Sequence, residues 1–446
     1  MSPSQLSTLA LIFLCLNPFS YIPNDMRLML AAGVMVIFGK LIKRRIIAKY
    51  EWTSIATASR YSSSRKIKSV YSVFVALFVH ALLLSMLSIV SLIDSPQWNI
   101  AELVATSLRY SFSMLFSFLE VAAGYYLASH VSFTTVRKIV YGSFALMAFI
   151  CIYQFLANLL NLPFVGNYVF DRFVGLRPSG LAAEPKNLSV YIVVLAFLLW
   201  EDRLEGKWAA AIRIGAICIC VFLFLATSSG NGYVVAMLLM AVRLVMARAW
   251  NAIAVTVILT IGTYIFLDRF SLDDLGLRGS HSDLLKSLSD LDLLMFDDLI
   301  FLPLLAWRDN ILNLLLGFGP GLLHYFAKAY ISEATWVTND VYIKGNISVI
   351  NYISQFGIVV FSIIFFLVFS KARRLLIVKV QNRDRALDIF FINSFVIGAF
   401  ISGNISIPFY LSIGWILSRS SMVSQLKRYN NLSMGSMRLP ITPSIK

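Results

Sequence analysis

The sequence is poor in the charged residues that cover the surface of a soluble protein. Asp, Glu, Lys and Arg make up 14% of the 446 residues, whereas a soluble domain carries about 25%. Hydrophobic residues make up 59%, and the mean hydropathy is +0.77. Apolar runs recur from Leu6 to Leu417, so the shortage of charge extends along the whole chain. This composition excludes a soluble domain with a membrane anchor and predicts an all-α, polytopic integral membrane protein.

Residues for metal, redox and nucleotide chemistry are also scarce. The four cysteines all lie inside apolar runs, where small buried hydrophobic residues are the favoured interpretation: Cys15, Cys151, Cys218 and Cys220. The sequence has no cluster with metal-ligand spacing, no Ser-His-Asp signature and no nucleotide-binding motif. We therefore expect no metal and no cofactor. A net charge of +15 would suggest nucleic acid in a soluble protein, but here the basic residues follow a membrane topology and no nucleic acid is expected.

A transmembrane helix needs about 20 mostly apolar residues, and twelve apolar runs of about 15 to 27 residues predict twelve such helices. They lie at 6–22, 27–42, 70–93, 101–127, 138–160, 187–202, 211–227, 232–248, 251–267, 347–370, 387–402 and 404–418. With both termini in the cytoplasm, 27 of the 38 lysines and arginines fall on the inner side, which is the positive-inside pattern. The chain then divides into a nine-span region at 1–267, a large outer loop at 268–346, a three-span region at 347–420 and a cytoplasmic tail at 421–446.

The outer loop at 161–186 carries three cations, although positive charge is disfavoured on the outer side of the membrane. They are Arg172, Arg177 and Lys186. The planar fork of arginine suits phosphate or diphosphate, so this loop predicts an anion site. The alternative is that the cations contact lipid headgroups or pair with Asp171 and Glu184.

The large outer loop contains two patterns. At 282–300, leucines at helical spacing with aspartates opposite predict an amphipathic helix, either on the outer membrane surface or packed on the spans. Further along, Arg308 and Asp309 lead into a glycine turn of Gly317, Gly319 and Gly321, and His324 follows. The glycines permit either a close backbone approach to a ligand or a simple bend, and His324 is either structural or catalytic.

One predicted span, 101–127, carries charges. Glu102, Arg109 and Glu120 fall on one helical stripe, and charges inside a bilayer are expensive unless they are paired or face water. An internal ion pair is the favoured interpretation for Glu120. A functional role is favoured for Arg109, which lies nearer the outer face.

Four stretches in this order resemble the Wzy-type O-antigen polymerases, which form a superfamily with the O-antigen ligases. They are the arginine-to-Glu-Pro stretch at 177–185, the Thr/Ser-rich hinge at 226–232, the glycine turn at 316–321 and the stretch at 346–357 that ends in Phe-Gly. The sequence departs from the superfamily at Gly230, where many relatives have arginine. It also has Ile347 and Ser348 where the ligase branch tends to have histidine, and both departures favour the polymerase over the ligase.

The resemblance implies a glycosyltransferase at the periplasmic face of the bacterial inner membrane. Oligosaccharide repeat units on undecaprenyl diphosphate would be joined into O-antigen, capsular or exopolysaccharide chains, without a nucleotide or a metal. The partners it implies are the lipid-linked oligosaccharide, the lipid bilayer and a polysaccharide chain-length regulator.

The chemistry implied needs cations for the departing diphosphate and a base for the attacking hydroxyl. The candidate cations are Arg177, Arg172 and Arg308, followed by Lys186, Arg278 and Arg109. The candidate bases, in order of preference, are Glu184, His324 and Asp309. The alternatives are an O-antigen ligase that transfers the glycan to lipid A-core and a lipid-linked oligosaccharide flippase. A flippase predicts charges across several spans and short outer loops, and this chain has one charged span and a large outer segment.

Overall fold

The structure is a computed structural model that describes residues 3–16, 56–93, 98–171, 175–182, 185–202, 209–227, 235–240, 298–333, 343, 348–377, 382–400 and 409–436. The predicted spans at 27–42 and 251–267 lie outside the described residues, as does nearly all of the amphipathic helix at 282–300. The candidate site residues Arg172, Glu184 and Arg278 lie outside them as well.

The described part of the chain is mostly helical, as predicted. The helices are α1 Pro3–Leu16, α2 Ala56–Ile93, α3 Ile100–His130, α4 Phe133–Leu160, α5 Pro185–Glu201, α6 Ala209–Thr227, α7 Asp298–Asp309, α8 Ile311–Leu316, α9 Leu323–Ala327, α10 Ser348–Ile377, α11 Asn382–Phe400 and α12 Phe409–Ser436. A 3₁₀ helix follows α9 at Lys328–Glu333. Among the residues that the structure describes, five helical segments are long and apolar enough to cross a membrane: Val75–Ile93, Ile100–His130, Phe133–Leu160, Ala209–Thr227 and Ser348–Leu376. They indicate a membrane-embedded protein.

Local sequence signals set the helix ends. Asn99 caps α3, since its Oδ1 accepts a hydrogen bond from the amide of Ala101 at 2.9 Å. Ser132 caps α4 in the same way, and only Val131 and Ser132 separate α3 from α4. α5 begins at Pro185, the position in a helix where the missing N–H of proline costs nothing.

The outer loop at 161–186 contains a β-hairpin, which is not among the elements predicted from the sequence. Strands β1 Asn167–Asp171 and β2 Gly175–Gly180 pair antiparallel, with Val169 opposite Arg177. The hairpin packs on α4, α5 and α6.

The helices pack closely against one another. α3 and α12 approach each other at two glycines, because a Cβ on Gly124 would lie 1.9 Å from the carbonyl oxygen of Leu411 and a Cβ on Gly414 1.9 Å from that of Val121. Small residues at such crossings let helix backbones come together in membrane proteins. α5, the short predicted span at 187–202, is buried on nearly every side, which suits a helix that is apolar all round.

The bundle has two chemically different ends. At the ion-pair end, where α3 stops and α4 starts, Arg137 lies 3.2 Å from the buried carboxylate of Asp202. At the same end Arg419 of α12 donates two hydrogen bonds of 3.0 Å to Asp388 of α11, and both side chains are buried. At the loop end, where α2 stops and α3 starts, lie the hairpin and the segment 298–333.

Candidate functional site

Arg177 is the one cation of the outer loop at 161–186 whose side chain the structure describes. Gln154 of α4 holds the strand that carries it, by donating to the carbonyl oxygen of Val165 at 2.8 Å and accepting from the amide of Gly180 at 3.2 Å. Arg177 is half-buried, and its Nε donates a 2.9 Å hydrogen bond to the carbonyl oxygen of Thr227. The guanidinium therefore caps the carboxyl end of α6, where the carbonyls carry partial negative charge.

The glycine turn is as tight as its sequence suggests. Gly317, Gly319 and Gly321 have φ of 99°, 88° and 77°, a region that side chains with a Cβ rarely adopt. The backbone of the turn comes close to neighbouring helices, as two of its glycines show. A Cβ on Gly319 would meet the backbone and hydroxyl of Ser85 in α2, and a Cβ on Gly321 would lie 2.4 Å from the ring of Tyr110 in α3.

The turn fills a break in α10. The sequence predicts one continuous span at 347–370, but Gly357 has a non-helical φ of 79° and ψ of 158°. A Cβ on Gly357 would lie 2.1 Å from the carbonyl oxygen of Leu315, and the amide of Phe318 donates a 2.7 Å hydrogen bond to the carbonyl oxygen of Ser354. A break within a span needs other elements to satisfy its backbone groups, and the glycine turn does so here.

A hydrogen-bonded cluster joins the glycine turn to the start of α3. The hydroxyl of Tyr325 donates to Oε1 of Glu102 at 3.1 Å and lies 3.0 Å from Oγ1 of Thr106. The ring of Tyr325 packs edge-on against Trp98, and Nζ of Lys328 lies 5.3 Å from the centre of that indole. Glu102 therefore belongs to the site, although the sequence analysis assigned it only to a charged stripe.

His324 is buried and accepts a hydrogen bond. The amide of Ile343 donates to its Nδ1 at 3.0 Å. Burial lowers the pKa of His324 to about 4, the nearby positive charge of Lys328 lowers it too, and Glu102 opposes them. At neutral pH the imidazole is uncharged, and a ring that accepts at Nδ1 carries its proton at Nε2. This arrangement presents a hydrogen-bond donor at Nε2 and disfavours His324 as a base.

Arg308 and Asp309 pair with each other on the surface. Nε of Arg308 lies 2.8 Å from Oδ1 of Asp309, and the hydroxyl of Tyr330 donates to Oδ2 of Asp309 at 2.5 Å. The hydrogen bonds from Arg308 and Tyr330 hold the pKa of Asp309 below its usual range. Asp309 is therefore ionised but a poor proton acceptor.

The remaining predicted residues spread around these two groups. Arg109 is exposed on α3, next to Tyr110. Glu120 is half-buried deeper in the same helix and acts electrostatically on Tyr352 of α10. Lys186 lies in the first turn of α5. Among the residues that the structure describes, no group of three or more His, Cys, Asp or Glu could hold a metal ion.

Hairpin and glycine turn bring the predicted stretches together in pairs. Arg177, in the stretch 177–185, binds Thr227 of the hinge at 226–232. Phe318, in the stretch 316–321, binds Ser354 of the stretch 346–357. Fold and site thus define a helical membrane protein whose hairpin and glycine turn lie at the loop end of its bundle. No protein-family model matches the chain, and no curated protein matches it.

Proposed function

We propose that the protein is a glycosyltransferase that polymerises lipid-diphosphate-linked oligosaccharide repeat units at the loop end of its bundle. The observation that supports this most is the pairing of the four stretches that resemble the Wzy-type polymerases. Stretches separated by about 35 to 50 residues contact each other directly, through Arg177 with Thr227 and through Phe318 with Ser354. In this proposal the hairpin would supply a cation and the glycine turn would supply polar groups to the site.

The reaction needs few groups from the protein. The hydroxyl oxygen of the acceptor sugar attacks the anomeric carbon of the donor, whose bond to the diphosphate oxygen breaks. The bonding electrons leave with the carrier diphosphate, and a base takes the proton of the hydroxyl. Arg177 would stabilise the charge that builds on the diphosphate, because its position is fixed beforehand by Thr227.

The choice of base follows from the surroundings of the three candidates. His324 uses Nδ1 to accept from Ile343, and Asp309 is already hydrogen-bonded to Arg308 and Tyr330. Glu184 immediately precedes the start of α5 at Pro185 and remains the preferred base.

The proposed topology has twelve spans in the bacterial inner membrane, with both termini in the cytoplasm and the loop end in the periplasm. The placement of lysines and arginines supports it, and so do Arg137 and Arg419 at the ion-pair end. Reporter fusions after residues 60, 175, 300 and 440 should read inside, outside, outside and inside. An outside signal at 440 would contradict the two final spans.

The decisive experiment is a polymerisation assay. Purified protein in lipid nanodiscs is incubated with undecaprenyl-diphosphate-linked repeat units, and the product is separated on a gel. We expect a ladder with the spacing of one repeat unit. Arg177→Ala should abolish it, whereas Arg213→Ala, the matched arginine at the opposite end of α6, should keep it. Transfer to lipid A-core without a ladder would instead identify a ligase.

The break in α10 favours one second candidate, a flippase for the lipid-linked units. Discontinuous helices commonly form the substrate sites of transporters. In this protein the glycine turn occupies the break, which favours a structural role for the break over a substrate site. Movement of a fluorescent lipid-linked unit across vesicles that hold the protein, with no ladder formed, would support the flippase.

A further inference from the structure

Helix α8, which leads into the glycine turn, has an exposed apolar face. Four of its six residues are large, apolar and exposed: Ile311, Leu312, Leu315 and Leu316. Ile311 and Leu312 are 65% and 66% exposed. An exposed patch of this kind marks a contact with another protein or with a membrane. The depth of α8 along the bundle distinguishes the two.

The glycine turn after α8 lies well below the end of α2. A Cβ on Gly319 would lie 2.7 Å from the hydroxyl of Ser85, which stands eight residues before the last residue of α2, Ile93. At 1.5 Å per residue, Gly319 is about 12 Å below the end of that helix. The apolar part of α2, Val75–Ile93, has 19 residues and is about as long as the 30 Å hydrocarbon layer is thick. The turn is therefore at the depth of the hydrocarbon.

Two other helices give nearly the same depth. A Cβ on Gly321 would lie 2.4 Å from the ring of Tyr110, which stands ten residues, or about 15 Å, after the start of α3. A Cβ on Gly357 would lie 2.1 Å from the carbonyl oxygen of Leu315. Gly357 stands nine residues, or about 14 Å, after the start of α10. The end of α8 and the glycine turn therefore reach the same level against three different helices.

After the turn the chain returns to the loop end. Tyr325 is hydrogen-bonded to Glu102 and Thr106, which lie within about 9 Å of the start of α3. Lys328 then lies against the ring of Trp98, which precedes α3. The segment 311–328 thus enters and leaves the bundle on the same side.

The pattern of burial along this segment is the one that lipid requires. Residues 317–320, whose backbone is irregular, are buried in protein, and the exposed part is the helix α8. The amide of Gly317 at the end of α8 donates a 2.8 Å hydrogen bond to the carbonyl oxygen of Asn313. Irregular backbone at membrane depth is tolerated only where protein or water satisfies it, whereas a helix satisfies its own groups.

The exposed face of α8 also adjoins an exposed apolar face of α10. Leu315 contacts Gly357, and the next two residues of α10, Ile358 and Val359, are exposed. We propose that 311–321 is a re-entrant segment in the membrane leaflet at the loop end, and that α8 contacts the acyl chains of the lipids there. Part of the large outer loop predicted at 268–346 then lies within the membrane. The inference goes beyond the proposed function, because it depends on neither polymerisation nor orientation.

The first test measures the surroundings of single spin labels in nanodiscs. Cys218, the one exposed cysteine, is changed to serine, and a label is attached to Leu312→Cys or Leu315→Cys. Collisions with oxygen, which concentrates in hydrocarbon, are compared with collisions with a water-soluble nickel chelate, and their ratio gives a depth. The label at Leu315 should lie at least about 10 Å deeper than one at Ser332→Cys on the exposed 3₁₀ helix. Val359→Cys on α10 is the matched lipid control, since Val359 is 46% and Leu315 41% exposed.

The depths at Leu315 and Val359 should agree to within about one helical turn, 5 Å. Nickel collisions at Leu312 and Leu315 as frequent as at Ser332 would place α8 in water and overturn the proposal. Few collisions with either reagent would show that protein covers α8, and would overturn it as well.

The second test uses the unchanged protein, so it does not depend on whether a cysteine variant folds. Nanodiscs are made with a phospholipid that carries a photoreactive diazirine on its acyl chain, and the labelled peptides are identified by mass spectrometry. We expect label in 311–316 and at the exposed α10 residues Phe366 and Leu367. Label on α10 with none in 311–316 would refute the re-entrant segment. Neither test uses the polymerisation ladder, so a protein that makes no ladder can still confirm the segment.

Discussion

Acidification gives the sharpest test of how His324 is held. The pKa of His324 falls from an ordinary 6.5 to about 4 in the folded protein, chiefly because the ring is buried. As the pH drops below 6.5, the unfolded chain takes up a proton at this histidine and the folded protein does not. The contribution of His324 to stability is therefore fully present above pH 6.5 and is lost as the pH falls towards 4. The shift corresponds to about 3 kcal/mol of unfolding free energy, about three-quarters of it lost by about pH 4.5.

The measurement compares the wild type with His324→Asn. The amide oxygen of asparagine can still accept from the amide of Ile343, but the side chain does not titrate. Both proteins are unfolded by SDS titration in mixed micelles at about pH 7.5 and about pH 4.5. The other titrating groups contribute equally in both proteins. The unfolding free energy of the wild type should therefore fall by about 2 to 3 kcal/mol more than that of the variant. Equal losses would show that His324 has an ordinary pKa and that its buried position is wrong.

The same variant separates the two leading candidates for the base. If Glu184 accepts the proton, His324→Asn keeps most of the polymerisation rate, and Glu184→Gln loses it at a matched protein level. An inactive histidine variant beside an active glutamine variant would reverse that assignment.

Three further perturbations follow from the contacts described. Arg177→Lys should fold but lose most of the ladder, because a point charge replaces a two-pronged donor; a wild-type ladder would remove Arg177 from the diphosphate site. Gly321→Ala should lower stability by about 1 to 3 kcal/mol, since it combines a positive φ with a clash, whereas Gly215→Ala, whose Cβ meets nothing, should not. Arg419→Met should cost about 3 to 5 kcal/mol by leaving the buried Asp388 carboxylate without its ion-pair partner. The double variant Asp388→Leu/Arg419→Met should recover most of that loss, and a single variant as stable as the wild type would refute the pair.

The helices were readable from the sequence because a membrane span is a local signal. A run of apolar residues predicts a helix without reference to the rest of the chain, and the predictions at 101–127 and 138–160 fall inside α3 and α4. The mostly helical membrane protein is thereby confirmed, and the number of spans stays a prediction. With the capping side chains Asn99 and Ser132, α3 starts one residue and α4 five residues before the predicted spans.

What the sequence did not reveal depends on partners far along the chain. Gln154 stands in an apolar run, and nothing nearby indicates that its amide holds a hairpin. The alternation of aromatic and β-branched residues in Tyr168-Val169-Phe170 was the available signal for the first strand. The break at Gly357 depends on a turn about forty residues earlier, and Phe-Gly alone does not predict it. Likewise, Arg419 was assigned to the basic inner side, and its ion pair with Asp388 arises only when α11 packs on α12.

The break in α10 determines where this chain can be recombined with another. Its backbone groups are satisfied by residues from two other parts of the sequence, with Nε2 of His80 lying 3.4 Å from the carbonyl oxygen of Phe356 and Phe318 binding Ser354. A chimera joined at about residue 346 would separate the glycine turn from the helix that it completes. Any exchange of specificity between chains of this architecture must therefore transfer the middle of α2, the glycine turn and the start of α10 as one unit.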